Sequence, residues 1–216
     1  MTEHNFDHMR RAMIANLLRT TGTNDPRVLA AFQDVPRERF VPDDKRALAY
    51  ADALVPLTPG RHLNNPMALG RLLTEAATRD GERALVVGAA TGYAAAILSR
   101  LVGPVVALEQ DPELAAFART ALAGYPVTVV EGPLTKGYAE GGPYDLILID
   151  GAVEHVPEAL IAQLVDGGRL AAGILENGVS RLSLGRKAGE GFGTAAFTDA
   201  AAAILPEFAK PKTFKF

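Results

Sequence analysis

Apolar residues recur at three- and four-residue spacing through the first third of the chain, then give way to short unbroken runs. Met9, Met13, Leu17 and Leu18 fall on one face of a helix that Gly22 stops. Asp25-Pro26 opens the next helix, the acid as N-cap and the proline at the first helical position. Val28, Leu29 and Phe32 form its apolar stripe. The segment Val35-Pro36-Arg37-Glu38-Arg39-Phe40-Val41-Pro42 is bracketed by prolines and is expected to be extended. Met67 to Ala77 again reads as a helix, opened by Pro66.

From Arg83 to Leu175 the pattern alternates. The runs Ala84–Val87, Val105–Leu108, Val127–Val130, Leu146–Ile149 and Leu170–Leu175 read as strands buried on both faces. Helical patterns at 94–101, 113–122 and 158–164 lie between them. A βαβ series of this kind predicts an open parallel sheet with helices on both sides. After Glu176, Val179–Lys187 and Phe192–Phe197 read as two strands of a hairpin, joined through Gly189 and Gly191, that closes one sheet edge. The expectation is one α/β domain over 1–216. It has an N-terminal layer of helices and a loop (1–80), a doubly wound, mostly parallel core (81–175) and C-terminal strands (176–216).

Composition narrows the class. With 216 residues, 48% hydrophobic and 22% charged, the chain is an ordinary globular one. It has no cysteine, which removes disulfides, thiolate metal sites and thiol nucleophiles. A net charge of -3 offers no basic field for nucleic acid. No apolar run approaches the ~18 residues of a membrane span, and Met1 to Asp7 carries no leader-like apolar core. A cytoplasmic protein without membrane or nucleic-acid partners is expected.

The segment Leu85-Val86-Val87-Gly88-Ala89-Ala90-Thr91-Gly92-Tyr93 is a strand, a glycine turn and a helix start. Gly88 allows a sharp turn, and Gly92 would let the backbone pass close to a ligand. The next strand ends at Glu109, 21 residues after Gly88. An acid at ~20 residues reaches a ribose diol in nucleotide-binding βαβ units, although any βαβ unit can carry a glycine and an acid at these places. The dinucleotide pattern G-x-G-x-x-G is missing, so no cradle for a pyrophosphate is expected. An adenosine joined to something other than a diphosphate fits better, which points to S-adenosylmethionine.

Three further stretches carry a resemblance. They are Asp25-Pro26-Arg27-Val28-Leu29 with the Val35–Pro42 string, Ala49-Tyr50-Ala51-Asp52 with Gly60 to Pro66, and Pro143-Tyr144-Asp145-Leu146-Ile147 with Val156-Pro157-Glu158-Ala159-Leu160 and Gly167-Gly168-Arg169-Leu170. Together with the Gly92-Tyr93 turn they resemble the protein-L-isoaspartate O-methyltransferases over residues 9–175. The resemblance implies a Rossmann-like class I methyltransferase fold and S-adenosylmethionine as cofactor. It also implies methyl transfer to L-isoaspartyl carboxylates of damaged proteins or peptides, that is, protein repair. Gly88, Ala89, Ala90, Thr91, Gly92, Glu109, Gln110, Gly132, Pro133 and Asp150 then belong to the cofactor side, with Asn64 and His62 at the acceptor.

The chain departs from the family pattern at four places. Val86 stands where an acid holds the cofactor amino group, and Ala90 replaces the middle glycine. Pro133 follows Gly132 where an acid meets the adenine. Asn64 occupies the place of a hydroxyl residue in Gly60-Arg61-His62-Leu63-Asn64-Asn65-Pro66. None of these forbids the chemistry, because a carboxylate of pKa near ~4 is already ionised and needs placement rather than a base. Asn64 and His62 can each donate to one carboxylate oxygen, although His62 can equally be a solvent-facing loop residue. Asp150, at a strand end, can line the substrate side or cap the next helix. His155 reads as an exposed loop residue, and His4 and His8 as tail residues. The four histidines show no metal-ligand spacing. Two other functions stay open: a family member that binds cofactor or partner without turnover, and a methyltransferase for a different carboxylate.

Overall fold

A computed structural model describes residues 3–210, with side chains from residue 5. Helix α1 (Glu3–Met13) continues as a π-helical turn over Ile14–Leu18. His8 is therefore an exposed position on a helix rather than part of a tail, while the side chain of His4 lies outside the described residues. Helix α2 (Pro26–Asp34) starts as the sequence predicts: the Asp25 carboxylate accepts from the backbone N–H of Arg27 at 2.7 Å and of Val28 at 3.4 Å.

The proline-bracketed string is not extended. Arg37–Phe40 and Asp43–Leu48 are 3₁₀ turns. The reason is packing: in a three-residue repeat Arg37 and Phe40 stand on the same side, and both are fully buried. A two-stranded antiparallel ribbon follows, β1 (Val55–Pro56) with β2 (His62–Leu63). Helix α3 (Pro66–Ala76) then begins on Asn65, whose Oδ1 accepts from Met67 N at 2.7 Å and Ala68 N at 3.4 Å.

The core sheet contains β3 (Ala84–Val87), β4 (Val105–Glu109), β5 (Val127–Glu131), β6 (Tyr144–Val153), β7 (Leu164–Glu176), β8 (Val179–Ala188) and β9 (Gly191–Asp199). Their order across the sheet is β5-β4-β3-β6-β7-β8-β9. The first five run parallel, and β8 and β9 add antiparallel. Asn177-Gly178, both at positive φ, make the tight turn between β7 and β8. Helices α4 (Tyr93–Leu98), α5 (Pro112–Ala121) and α6 (Glu158–Ala162) make the crossovers. This is a doubly wound, Rossmann-like sheet. β6 is longer than its apolar run, passing Asp150 through an irregularity between Leu148 and Ala152.

Alternate strand residues serve opposite faces. Ala84, Val86, Ala107, Leu146 and Leu148 pack with α1 to α5 on one side. Leu85, Val87, Leu108, Ile147 and Ile149 pack on the other. That second face is covered unevenly, by Leu160 of α6, by Leu134, and by Leu205 and Phe208 from a C-terminal strap over residues 200–210. No helix among the described residues is long and apolar enough to cross a membrane.

The chain winds outward from β3 through β4 to β5, then returns to lay β6 on the other side of β3. Sheets of this kind hold ligands at the carboxyl ends of the strands where the winding reverses. Gly88 and Asp150 flank that point.

Candidate functional site

The turn after β3 is built from unusual backbone. Gly88, Ala90 and Gly92 have φ of 72°, 49° and 97°. For Ala90 the left-handed conformation costs about 1–2 kcal/mol relative to the right-handed one. It is held there by Glu109, whose Oε2 accepts from Ala90 N at 2.7 Å. Gly88 N and Ala89 N both donate to the Leu108 carbonyl at 3.0 Å. Thr91 turns away from the cleft and donates from Oγ1 to the Phe40 carbonyl at 2.6 Å. A Cβ on Gly92 would come within 2.7 Å of the Leu122 side chain. The glycine there makes room for the end of α5, and its positive φ is one that glycine adopts without strain.

Glu109 is fully buried. Arg61 meets it bidentately, Nη1 to Oε1 at 2.5 Å and Nη2 to Oε2 at 2.7 Å. Gln110 N and Asp111 N add bonds to Oε1 at 2.8 and 2.9 Å. With Ala90 N this makes five donors on a carboxylate that has about four lone-pair sites. Burial works against the Arg61 charge, but the hydrogen bonds and charge of Glu109 outweigh it and raise its pKa. The Gln110 side chain accepts from Leu134 N at 3.4 Å, and Gly132 N donates to the Glu109 carbonyl at 3.1 Å. Pro133 is exposed and caps the short turn Leu134–Lys136.

On the other side of the switch point the loop over residues 60–66 meets β6. Asn64 is buried and donates from Nδ2 to Asp150 Oδ1 at 3.0 Å. Its Oδ1 accepts from Asn65 N at 2.9 Å and from Ala203 N at 3.1 Å. His62 is half-buried on β2, with Pro56 as its register partner. Burial pushes the Asp150 carboxyl up to about 6, against the Asn64 hydrogen bond and the charges of Arg37 and Arg61. Asp150 caps no helix, since α6 starts on Pro157 without a side-chain cap. Below this pair lies Arg37, stacked 4.6 Å from the centroid of the Tyr93 ring. Its Nε donates to the Ala49 carbonyl and its Nη2 to the Asn64 carbonyl, both at 2.6 Å. Burial lowers its pKa.

The sequence thus brings Asn64 and Asp150 together and sets Glu109 against the turn. His155 stands apart from them, half-buried, with Nδ1 2.9 Å from the Phe208 carbonyl oxygen. Arg37, Arg61 and the strap were not read from the sequence as parts of this site. Arg37 lay in view inside the Val35–Pro42 string, and Arg61 immediately before His62. The strap showed only as the small-residue run Ala200–Ala203.

S-adenosylmethionine would need space beside Gly88 and acceptors on Glu109 turned to the ribose. In this conformation the residues do not fit it. A Cβ on Gly88 would sit 2.9 Å from Leu205 Cδ1, so that side chain already lies against the glycine. The Glu109 oxygens are saturated, and Val86 and Pro133 supply no carboxylate.

The comparisons with known proteins agree with one another. The model of the protein-L-isoaspartate(D-aspartate) O-methyltransferase family matches residues 8–200. Protein-L-isoaspartate O-methyltransferase 1 of Rhodopseudomonas palustris is 38% identical over 168 residues, covering 76% of this chain and 69% of the relative. Protein-L-isoaspartate O-methyltransferase 2 of an Anaeromyxobacter species is 42% identical over 164 residues, covering 74% and 68%. Among solved structures, a protein-L-isoaspartate O-methyltransferase superposes with a TM-score of 0.79 at 25% identity, over 91% of this chain and 65% of that one. A Plasmodium falciparum protein described as a protein-L-isoaspartate O-methyltransferase, in complex with S-adenosyl-L-homocysteine, shares the fold with a TM-score of 0.75 at 19% identity. That superposition covers 92% of this chain and 98% of the other.

Proposed function

The chain belongs to the protein-L-isoaspartate(D-aspartate) O-methyltransferase family, and on that premise we propose that it is an S-adenosylmethionine-dependent enzyme that methylates the free carboxylate of L-isoaspartyl residues in damaged proteins. The observation that carries the reading is the extent of the family match. Residues 8–200 take in the acceptor loop, the glycine turn, Glu109 and Asp150 together.

An isoaspartyl carboxylate, with a pKa of about 4, is ionised at neutral pH and needs no general base. The cofactor supplies the methyl group when bound. The chain's own task is to hold the carboxylate still and keep water away. Asn64 is suited to the first part of that task. One Nδ2 hydrogen is spent on Asp150, the second is available, and Arg37 fixes the loop through the Asn64 carbonyl. His62, on the same loop, supplies a ring N–H. The Asp150 carboxyl, pushed up by burial to about 6, holds the other Nδ2 hydrogen of Asn64 and so fixes the amide's orientation. The proposal includes a cytoplasmic location, with which a cysteine-free chain is compatible.

The test is a methyl-transfer assay with labelled cofactor and paired peptides that differ only in an isoaspartyl or aspartyl linkage. Label should enter the isoaspartyl peptide and not its partner. One observation favours a second reading, a family member without turnover: the saturated Glu109 carboxylate. Absence of label from both peptides and from other carboxylates, although the folded protein binds S-adenosyl-L-homocysteine, would favour that reading instead. Label in a different carboxylate alone would move the chain to another acceptor.

A further inference from the structure

The strap follows the last strand and crosses the carboxyl ends of β3, β4 and β6. It is fastened there by backbone and side chain alike. Ala152 N donates to the Ala203 carbonyl at 2.7 Å and Leu205 N to the Ala152 carbonyl at 2.9 Å, a parallel bridge that prolongs β6 sideways. Ala203 N donates to Asn64 Oδ1 at 3.1 Å. His155 Nδ1 meets the Phe208 carbonyl, and Lys210 N donates to Glu154 Oε2 at 2.7 Å.

Its side chains fill the cleft. Leu205 lies on Gly88 and Gly151, where a Cβ on the latter would come within 3.0 Å of Leu205 Cγ. Phe208 is fully buried and belongs to the apolar cluster that includes Val87, Leu108, Leu134 and Val153. Glu207 stands close enough to Arg61 to raise its pKa further. A cavity of 310 Å³ remains at the strap's edge, but its lining is Pro59, Gly60, Arg61, Gln110, Asp111, Pro206 and Glu207, not the glycine turn. The strap also begins where the family match, residues 8–200, ends.

The geometry points to a self-occluded enzyme: residues 200–210 occupy the cleft where S-adenosylmethionine binds, so that strap docking and cofactor binding exclude one another. This rests on the reading that the carboxyl ends of β3 and β4 are the cofactor site of this family member. Two volumes cannot share the space against Gly88. Strap release uncovers the Gly88 face and the floor now covered by Phe208, and removes one of the two hydrogen bonds at Asn64 Oδ1. Asn64 is thereby coupled to the strap as well as to Asp150, so the same movement that opens the cofactor cleft alters the acceptor loop. The apparent affinity for cofactor is the intrinsic one reduced by the fraction of molecules with the strap undocked.

The proposal is tested on the full chain with S-adenosyl-L-homocysteine as probe. Binding is followed by calorimetry, and amide hydrogen exchange is read at Ala203 and Leu205. If the parent binds, those amides should lose protection as the probe saturates. If the parent does not bind at attainable concentrations, the double variant Leu205→Ser/Phe208→Ser should, with affinity higher by at least about tenfold. Binding to the parent with both amides still protected overturns the proposal. So does failure of both proteins to bind when circular dichroism shows both folded. The methylation reading fails differently, by absence of label from the isoaspartyl peptide although the probe binds and the strap moves.

Discussion

Asn64 shows how much one side chain is asked to hold. It ties the loop over residues 60–66 to Asp150, to the Asn65 backbone and to the strap through three hydrogen bonds, all buried. Asn64→Ala leaves the Asp150 oxygen and the Ala203 N–H without their partners. The cost of orphaning a buried polar group is about 1–3 kcal/mol, so the variant should unfold at correspondingly lower urea concentration with an unchanged slope. A midpoint equal to the parent's would mean that water replaces the amide and that the three bonds do not anchor the loop. Asn64 is legible in the sequence as the odd residue in its loop. What it touches is not, since Asp150 and Ala203 lie 86 and 139 residues away.

At the scale of an element, helix α3 decides where the loop that carries His62 and Asn64 ends. Asn65 caps it and Pro66 sits at its first position, so the loop passes into the helix with no free residue between. Asn65→Ala should lower stability by about 1 kcal/mol, the usual worth of an N-cap, measured by chemical denaturation. Asn65→Asp should restore the loss, because a carboxylate accepts the same two N–H bonds. If alanine and aspartate behave alike, the cap is not what holds α3 to the loop. The helix starts at Asp25 and Pro66, the alternating strand runs and the β8–β9 hairpin were all readable, because each depends on neighbours a few positions away. The string from Val35 to Pro42 misled for the opposite reason. Its prolines permit extended backbone, but the sheet's helical face wants Arg37 and Phe40 buried on one side, and a 3₁₀ turn delivers that.

At the scale of the whole molecule, the buried Asp150 links stability to pH. Its carboxyl titrates near 6 in the folded chain against an ordinary value of 3.8, so the folded state binds the proton more tightly. The stabilisation from that proton is fully present below the ordinary value and is lost as pH rises through about 6. At 1.36 kcal/mol per unit the loss amounts to about 3 kcal/mol. Asp150→Asn removes this dependence while keeping an oxygen for Asn64 to donate to. Measured by urea unfolding across the range, its stability relative to the parent should climb by up to about 3 kcal/mol between roughly pH 4 and pH 7. A difference that stays flat with pH would show that the Asp150 carboxyl keeps its ordinary pKa in the folded protein.

Local chemistry sufficed for the α/β class, the parallel core, the glycine turn and the family. Periodicity, capping residues and motif spacing act within a few residues of one another, and a turn such as Gly88 to Gly92 carries its backbone demands in its own letters. The occupancy of the cleft was settled elsewhere. Whether Glu109 faces a ribose or a guanidinium depends on a loop 48 residues earlier bringing Arg61 against it. Whether Gly88 faces a ligand or Leu205 depends on a strap from the far end of the chain. Such contacts are chosen by the volume left open once the sheet has formed and by the need to cover its thinly protected face. No spacing along the chain records that volume.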